Sequence, residues 1–300
     1  MIDLHLHTIF SDGQITNLKR IINRCDIISI TDHNTISAYK FFANSLKNTR
    51  VIIGCEITVD GAPDYLLYFP QNCADLDMLE HELEVIRLSE EMVIKHCYYS
   101  LGYDNWEVDI KRAYSSSQMI RNARTRDLAA IIHLYNKGLR YDNGNFKLKD
   151  LKVARRVRWE YKKNLGNPIA TNTAFDIATK FGGQIVLAHP IHTALKRCSS
   201  DNVNITNLQE IIMKLLRTYA LKSGKIIEWE YLGENYLRKY RLSLNDEIVL
   251  RDFLLKKINE YEFTLTFGSD AHSLENYEML SCRLEKDQLI LQDKWAEWIK

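Results

Sequence analysis

The chain has few of the residues that break regular structure. Its 300 residues hold only four prolines and twelve glycines, and no low-complexity linker or internal repeat is visible. An excess of one charge is also missing. Forty Lys and Arg stand against 39 Asp and Glu, for a net charge of +1, so global charge argues for neither nucleic acid nor a membrane as partner. No apolar stretch approaches the ~18–20 residues needed to cross a bilayer. The six cysteines are dispersed without paired spacing, and Cys55 and Cys97 lie in or beside apolar runs. That excludes a disulfide framework and suits a reduced compartment. The amino terminus runs straight into a strand pattern with no signal peptide, so the expected location is cytoplasmic. The length suits one α/β barrel, or a barrel with an insertion, with enough chain for a sizeable core.

Histidine and carboxylate are present in an ordered pattern. Five of the nine histidines fall in a few short stretches, each at the end of an apolar run. Ile2-Asp3-Leu4-His5-Leu6-His7 alternates like a half-buried strand, which puts His5 and His7 on one face. It is followed by Ser11-Asp12-Gly13. The run Ile27–Ile30 leads into Asp32-His33-Asn34, and Val51–Cys55 leads into Glu56. Gln184–Ala188 leads into His189-Pro190, and Phe263–Phe267 leads into Ser269-Asp270-Ala271-His272. Short β-branched runs of this kind form buried parallel strands. Their carboxyl ends are where α/β barrels build active sites. Any one of these words alone would be a turn or a helix cap. Together they supply the imidazoles and carboxylates that hold hydrolytic divalent ions, and Zn, Mn and Fe all suit such ligands.

The same words resemble the PHP family, named for polymerase and histidinol phosphatase. The likeness rests on His5-Leu6-His7-Thr8 with Ser11-Asp12-Gly13, then Ile30-Thr31-Asp32-His33-Asn34-Thr35, then Gly54-Cys55-Glu56-Ile57-Thr58. It continues through Gly182–Pro190 and Gly268-Ser269-Asp270-Ala271-His272, and so covers residues 1 to about 280. The branch it most resembles is the nucleotide and nucleoside-bisphosphate phosphatases. The resemblance implies an α/β fold, a distorted (β/α)7 barrel with two or three divalent ions, which hydrolyses phosphate esters. It implies one ion on His5, His7, Glu56 and Asp270, a second on Asp12, His33 and His272, and a third on His189 with Glu56 shared. Asp32, beside one of these positions, reads as a supporting carboxylate or turn former.

The chain departs from the family pattern in three places. A family histidine shortly after the bridging glutamate is replaced in Tyr65-Leu66-Leu67-Tyr68-Phe69, where Tyr65 takes its place. Asp64 would substitute only if the register slipped. A phenol is a poor ligand at neutral pH, so the position on Glu56 and His189 is expected to be the weakest. The family's Arg-Pro-His word is matched only by Arg124-Thr125-Arg126. After His189-Pro190 the chain reads Ile191-His192, where His192 is either a stray polar residue or a replacement ligand.

The metal-type words cluster at 1–70 and 181–275, with a long helix-like block between. Leu76, Leu79, Leu83 and Ile86 fall at helical spacing, as do Ile120, Leu128 and Ile131-Ile132. The expected organisation is therefore a barrel of residues 1–71 and 166–300, with a helical insertion or cap at 72–165. Within the insertion, residues 147–163 hold eight cations from Lys147 to Lys163, with Trp159 and Tyr161 interleaved. This is either a solvated helix face or a groove for single-stranded nucleic acid or polyphosphate.

The leading expectation is a metal-dependent phosphoesterase using metal-activated water on a phosphomonoester of a nucleotide or an oligonucleotide end. Glu56 and Asp270 would serve the chemistry, and Arg124 or Arg126 would clamp the phosphate. Its rivals are an exonuclease on longer nucleic acid and a weakened metal-binding module that acts through a partner.

Overall fold

A computed structural model describes residues 1–11, 13–47, 49–58, 63–70, 75–100, 172–198 and 203–299. Asp12, Arg124, Arg126, the Lys147–Lys163 stretch and most of the expected insertion at 72–165 lie outside the described residues. The fold is α/β. Strand β1 (Ile2–Asp3) precedes helix α1 (Lys19–Ile22), strand β2 (Ile27–Ile28), helix α2 (Ser37–Leu46) and strand β3 (Arg50–Val51). These three strands form a parallel sheet in the order β1-β2-β3. Strands β4 (Ile53–Ile57) and β5 (Tyr65–Phe69) and helix α3 (Leu76–Ser100) follow. Then come helix α4 (Thr173–Phe181), strand β6 (Gln184–Leu187), helices α5 (Pro190–Arg197) and α6 (Ile205–Leu221), and strand β7 (Ile226–Trp229). Helices α7 (Glu234–Tyr240) and α8 (Leu244–Glu260), strand β8 (Thr264–Phe267) and helix α9 (Leu274–Ile290) complete the order. Strands β4 to β8 make a second sheet in sequence order. No helix among the described residues is long and apolar enough to cross a membrane.

The described residues hold eight short strands in two sheets, with no single closed sheet among them. One expectation changes here: the Val51–Cys55 run is not one parallel strand. Its start pairs in parallel with β2, while β4 turns antiparallel to β5. The connection from Thr58 to Asp64 is too short for the crossover of a dozen or more residues that a parallel pair needs. Strand β5 is antiparallel to β6 as well, and β6, β7 and β8 are parallel.

The sheets join at one end. Leu4 N–H donates to Phe267 O at 2.9 Å and Asp270 N–H to His5 O at 2.7 Å, which couples the chain after β1 to the end of β8. Glu56 N–H donates to Asp32 O and Asn34 N–H to Glu56 O, which couples the end of β2 to β4.

Strand periodicity sorts the side chains of the second sheet. Cys55, Ile57, Tyr65, Leu67, Phe69, Leu187, Ile227, Trp229, Leu265 and Phe267 pack outward in one large cluster beneath the helices. Leu79, Leu83 and Ile86 of α3 join that cluster. The opposite face carries Leu66, Tyr68, Val186, Ala188 and Ile226, which pack with Ile2, Leu4 and Ile27 of the first sheet and with the carboxyl-terminal Ala296 and Ile299. Alternation continues on that inner face to Glu56, Asp64 and Glu228, so its far end becomes polar.

The hydroxyl of Tyr39 on α2 stitches the two sheets where β3 gives way to β4. It accepts from the N–H groups of Ile30 and Gly54, both at 2.9 Å. It donates to the carbonyl of Ile30 (2.7 Å) or Ile52 (2.9 Å). Tyr39→Phe leaves two backbone donors without this acceptor. We expect it to lower the unfolding free energy by about 1–3 kcal/mol in denaturant titration. A change within error would mean that these donors find other partners.

Candidate metal centre

The polar residues of the inner face meet where the parallel strands end. His5 and His7 follow β1, His33 follows β2, Glu56 stands in β4, His189 follows β6, and Asp270 and His272 follow β8. His5 Nε2 and His7 Nε2 face each other at 3.0 Å. Both reach Asp270 Oδ1, at 3.4 and 3.3 Å, and Glu56 Oε2, at 3.6 and 3.2 Å. His33 Nδ1 lies 3.1 Å from Glu56 Oε2, and His189 Nε2 lies 3.1 Å from Glu56 Oε1. A nitrogen from each of His7, His33 and His272 falls within 4.8 Å of the others. The structure thus brings seven of the eight anticipated donors together; the eighth, Asp12, is outside the described residues.

The hydrogen bonds behind these rings decide which nitrogen faces inward. Glu228 Oε1 accepts from His5 Nδ1 at 2.6 Å, which leaves the Nε2 lone pair pointing to His7. His7 Nδ1 donates to Ser11 Oγ at 3.3 Å, and Ser11 Oγ passes its own proton to Asp32 Oδ1 at 2.6 Å. Asp32 also accepts from Thr8 N–H and Thr8 Oγ1, so it acts as a turn-holding carboxylate. His272 Nδ1 donates to Asp270 O at 2.9 Å. Outer partners of this kind set the tautomer a divalent ion requires. Two buried imidazoles converging on the buried Glu56 carboxylate and on Asp270, whose side chain is 32% exposed, is a donor set that fits a cation. A buried ring of like polarity is otherwise costly.

The electrostatics agree. Burial alone would raise Glu56, but the charge of His33 and hydrogen bonds from His189, His5 and His7 hold it well below the usual carboxylate range. Asp270 is held down in the same way, chiefly against burial by His5 and His7. Burial would lower His5, but the charges of Glu228 and Asp270 hold it well above its ordinary value, so a cation at Nε2 would take the place of a proton. Burial pushes Glu230 up to about 8. Three of the six non-glycine residues with positive φ among the described residues lie here: Asn34, His189 and Asp270, at +52°, +26° and +49°. Such residues cost about 1–3 kcal/mol each and cluster at functional sites.

Tyr65 is not part of this arrangement. It points outward, buried against Phe175 (5.4 Å between ring centroids) and Tyr219 (6.1 Å). Asp64 takes the inner position, with no slip of register. Because β5 runs antiparallel, its amino end lies at the site, and the residue before Tyr65 shares the face of Leu66 and Tyr68. Donor atoms of Glu56, Asp64 and His189 all lie within 4.8 Å of one another. His192 also enters the cluster, with His189 and Asp270. Sequence reasoning did not assign Glu228 or Glu230. Their signal was present: two carboxylates at i and i+2 after Ile226-Ile227, a strand alternating into the same face. Glu228 Oε2 accepts from His189 N–H at 2.9 Å, and Glu230 accepts from the N–H groups of Ile191 and His192.

No family model matches the chain, and no curated protein matches it. Solved structures do. One, from Bifidobacterium adolescentis and provisionally described as a metal-dependent phosphoesterase, is 17% identical with a TM-score of 0.55. The match covers 94% of this chain and 96% of that one. Another, an amidohydrolase from Chromobacterium violaceum solved with sulfate and no metal, is 19% identical with a TM-score of 0.52. There 91% of this chain and 88% of that one are covered. The likeness extends over nearly the full length and shows a shared α/β fold.

Gly268 gives His5 its place. A Cβ there would overlap Cβ of His5 and come within 2.9 Å of Glu228 Oε1. Nothing lies within 4 Å of a Cβ at Gly233. We therefore expect Gly268→Ala to cost about 1–3 kcal/mol or more through overpacking, and Gly233→Ala to cost less than about 1 kcal/mol. Equal costs in parallel melts would contradict this account of the His5 position.

Proposed function

We propose that the chain is a metal-dependent hydrolase of phosphate esters, acting on a phosphomonoester of a nucleotide or an oligonucleotide end. The observation that carries it is that His5 Nε2 and His7 Nε2, 3.0 Å apart, each lie within 3.6 Å of both Glu56 Oε2 and Asp270 Oδ1 at the polar end of the inner face. In this reading His5, His7, Glu56 and Asp270 hold one divalent ion. His33, His272 and Asp12 serve a second, and Glu56 bridges toward His189. The two linked sheets are read as the distorted barrel of the PHP resemblance, with residues 72–165 as an insertion beside the site. The phosphoesterase named for the Bifidobacterium structure supports the same class.

Bound divalent ions supply the positive charge that acidifies water and offsets phosphoryl charge. The chain's own residues do the rest. Glu228 and Ser11 fix the His5 and His7 tautomers so that lone pairs face the site. Glu56 and Asp270 stay ionised beside the imidazoles. Arg124 or Arg126 is the proposed phosphate clamp, since a guanidinium fork matches phosphate oxygens. The Lys147–Lys163 stretch is the proposed contact to a longer strand. Zn, Mn and Fe all suit these donors.

The test is a hydrolysis screen on metal-reconstituted protein, comparing mononucleotides, 3′,5′-bisphosphates and 5′-labelled oligonucleotides. Chelation should abolish turnover and added divalent metal should restore it. Glu228→Gln, which changes an outer partner only, should cost about 10–100-fold in metal affinity or activity. His5→Ala and Asp270→Asn should cost more. Preference for long oligonucleotides with internal cuts would favour a nuclease. No turnover on any ester by protein shown to hold metal would defeat the proposal.

A further inference from the structure

Helix α5 begins at a strained residue and turns one face into the site. His189 is its N-cap, with Pro190 at the first helical position. His192 and Lys196 follow at i+3 and i+7 from His189, which places all three on one face. The His189 and His192 rings lie 5.1 Å apart. His192 is only 8% exposed, and its Nε2 is buried with no hydrogen-bond partner. The ring edge rests on Tyr236 at 4.1 Å between centroids. Leaving a buried polar atom unsatisfied costs about 1–3 kcal/mol. A side chain placed there for packing alone would be apolar. The first turn of α5 is also pinned by Glu230, which accepts from Ile191 N–H and from His192 N–H at 3.0 Å. Glu228 anchors His5 and His189 in the same manner one step back on the strand. The backbone of His192 is thus held by a buried carboxylate, as that of His189 is.

Oxygen donors surround this pair of rings. A ring nitrogen of each histidine and a carboxylate oxygen of Asp270 fit within 4.8 Å of one another, as do donors of Glu56, Asp64 and His189. We infer that His192 is a metal ligand. Together with His189 it forms a cation position that Asp64 and Glu56 approach from the β4–β5 side and Asp270 from the β8 side. This rests on the metal-centre reading above and adds to it two ligands, His192 and Asp64. Nitrogen and carboxylate donors in this mixture suit Zn or Mn. Lys196 Nζ, 3.3 Å from Asp64 Oδ2, fixes the carboxylate at the rim of the position.

The experiment compares the full-length protein with His192→Phe, which keeps a ring on Tyr236 and removes both nitrogens, and with His192→Gln and Asp64→Asn. Tyr65→Phe is the control. Each is stripped, reconstituted with zinc at fixed free concentration, and analysed for bound metal; Co(II) absorption reports the ligand set. Melting is followed in chelator and in zinc. We expect His192→Phe and Asp64→Asn each to lose about one equivalent of metal, or to weaken one ion class by about tenfold or more. The remaining ions should stay. Melting of His192→Phe in chelator should not fall, because the unsatisfied nitrogen is removed, while the gain on adding zinc should shrink, because a ligand stabilises only through its own affinity. If His192→Phe fails to fold, His192→Gln carries the test. Unchanged metal content and an unchanged Co(II) spectrum in the His192 variants overturn the inference and leave the phosphoesterase reading standing. A wild-type protein that binds no divalent metal overturns both.

Discussion

The Glu228 carboxylate is the interaction on which the site depends. One of its oxygens takes the Nδ1 proton of His5, and the other takes the backbone N–H of His189. A single buried side chain on β7 therefore orients the residues after β1 and after β6, which lie in different sheets. Burying a carboxylate is costly unless it is fully hydrogen-bonded. Glu228 meets that condition by making two short bonds to groups that would themselves be unsatisfied without it. Gly268 completes the arrangement by leaving room for His5 Cβ beside the Glu228 oxygen.

The inner face explains how a polar site and a stable fold coexist. Its lower part is apolar, with Leu4, Leu66, Tyr68, Val186 and Ile226 packed against the carboxyl-terminal Ala296 and Ile299. Its upper part is ionisable. The change comes within one or two residues along each strand, as from Ile226 to Glu228. The imidazoles pack against one another around the upper ring, and Glu56 and Asp270 each face more than one of them. Left to burial alone, Glu56 and Asp270 would be driven toward neutrality; the histidines hold them ionised.

Much of this was legible in the sequence because the donor residues sit at the ends of apolar runs. His5, His7, His33, Glu56, His189, Asp270 and His272 were readable from that placement, as were β1, β2, β6 and β8. What was not readable follows from tertiary pairing. The direction of β5 follows from the short Thr58–Asp64 connection and brings its amino end to the site, and its register turns Asp64 inward and Tyr65 outward. A residue-by-residue match to a family word assigns Tyr65, while the strand face assigns Asp64. His192 was ambiguous because helical spacing from His189 could not say which face of α5 met the sheet. Glu228 and Glu230, in and just after a short strand without a histidine to mark it, were readable as near the cleft but not in their roles.

Ser11 and Asp32 show why the motif words extend beyond the donor residues. Asp32 binds the Thr8 amide, the Thr8 hydroxyl and the Ser11 hydroxyl, and Ser11 then accepts from His7. Losing either would leave His7 in place but free to present the wrong nitrogen. The β1 end repeats this logic with Glu228, which holds the His5 ring directly. At helix α5, Glu230 holds the backbone of the first turn instead of a ring. A ring backed by a carboxylate, as His5 is, or through a hydroxyl, as His7 is, has its orientation decided before any cation arrives, so little reorganisation remains for binding to overcome. The constraint acts on orientation more than on identity of the donors. That is why Asp64 can stand on the inner face where the family pattern has a histidine without disturbing the rings around it.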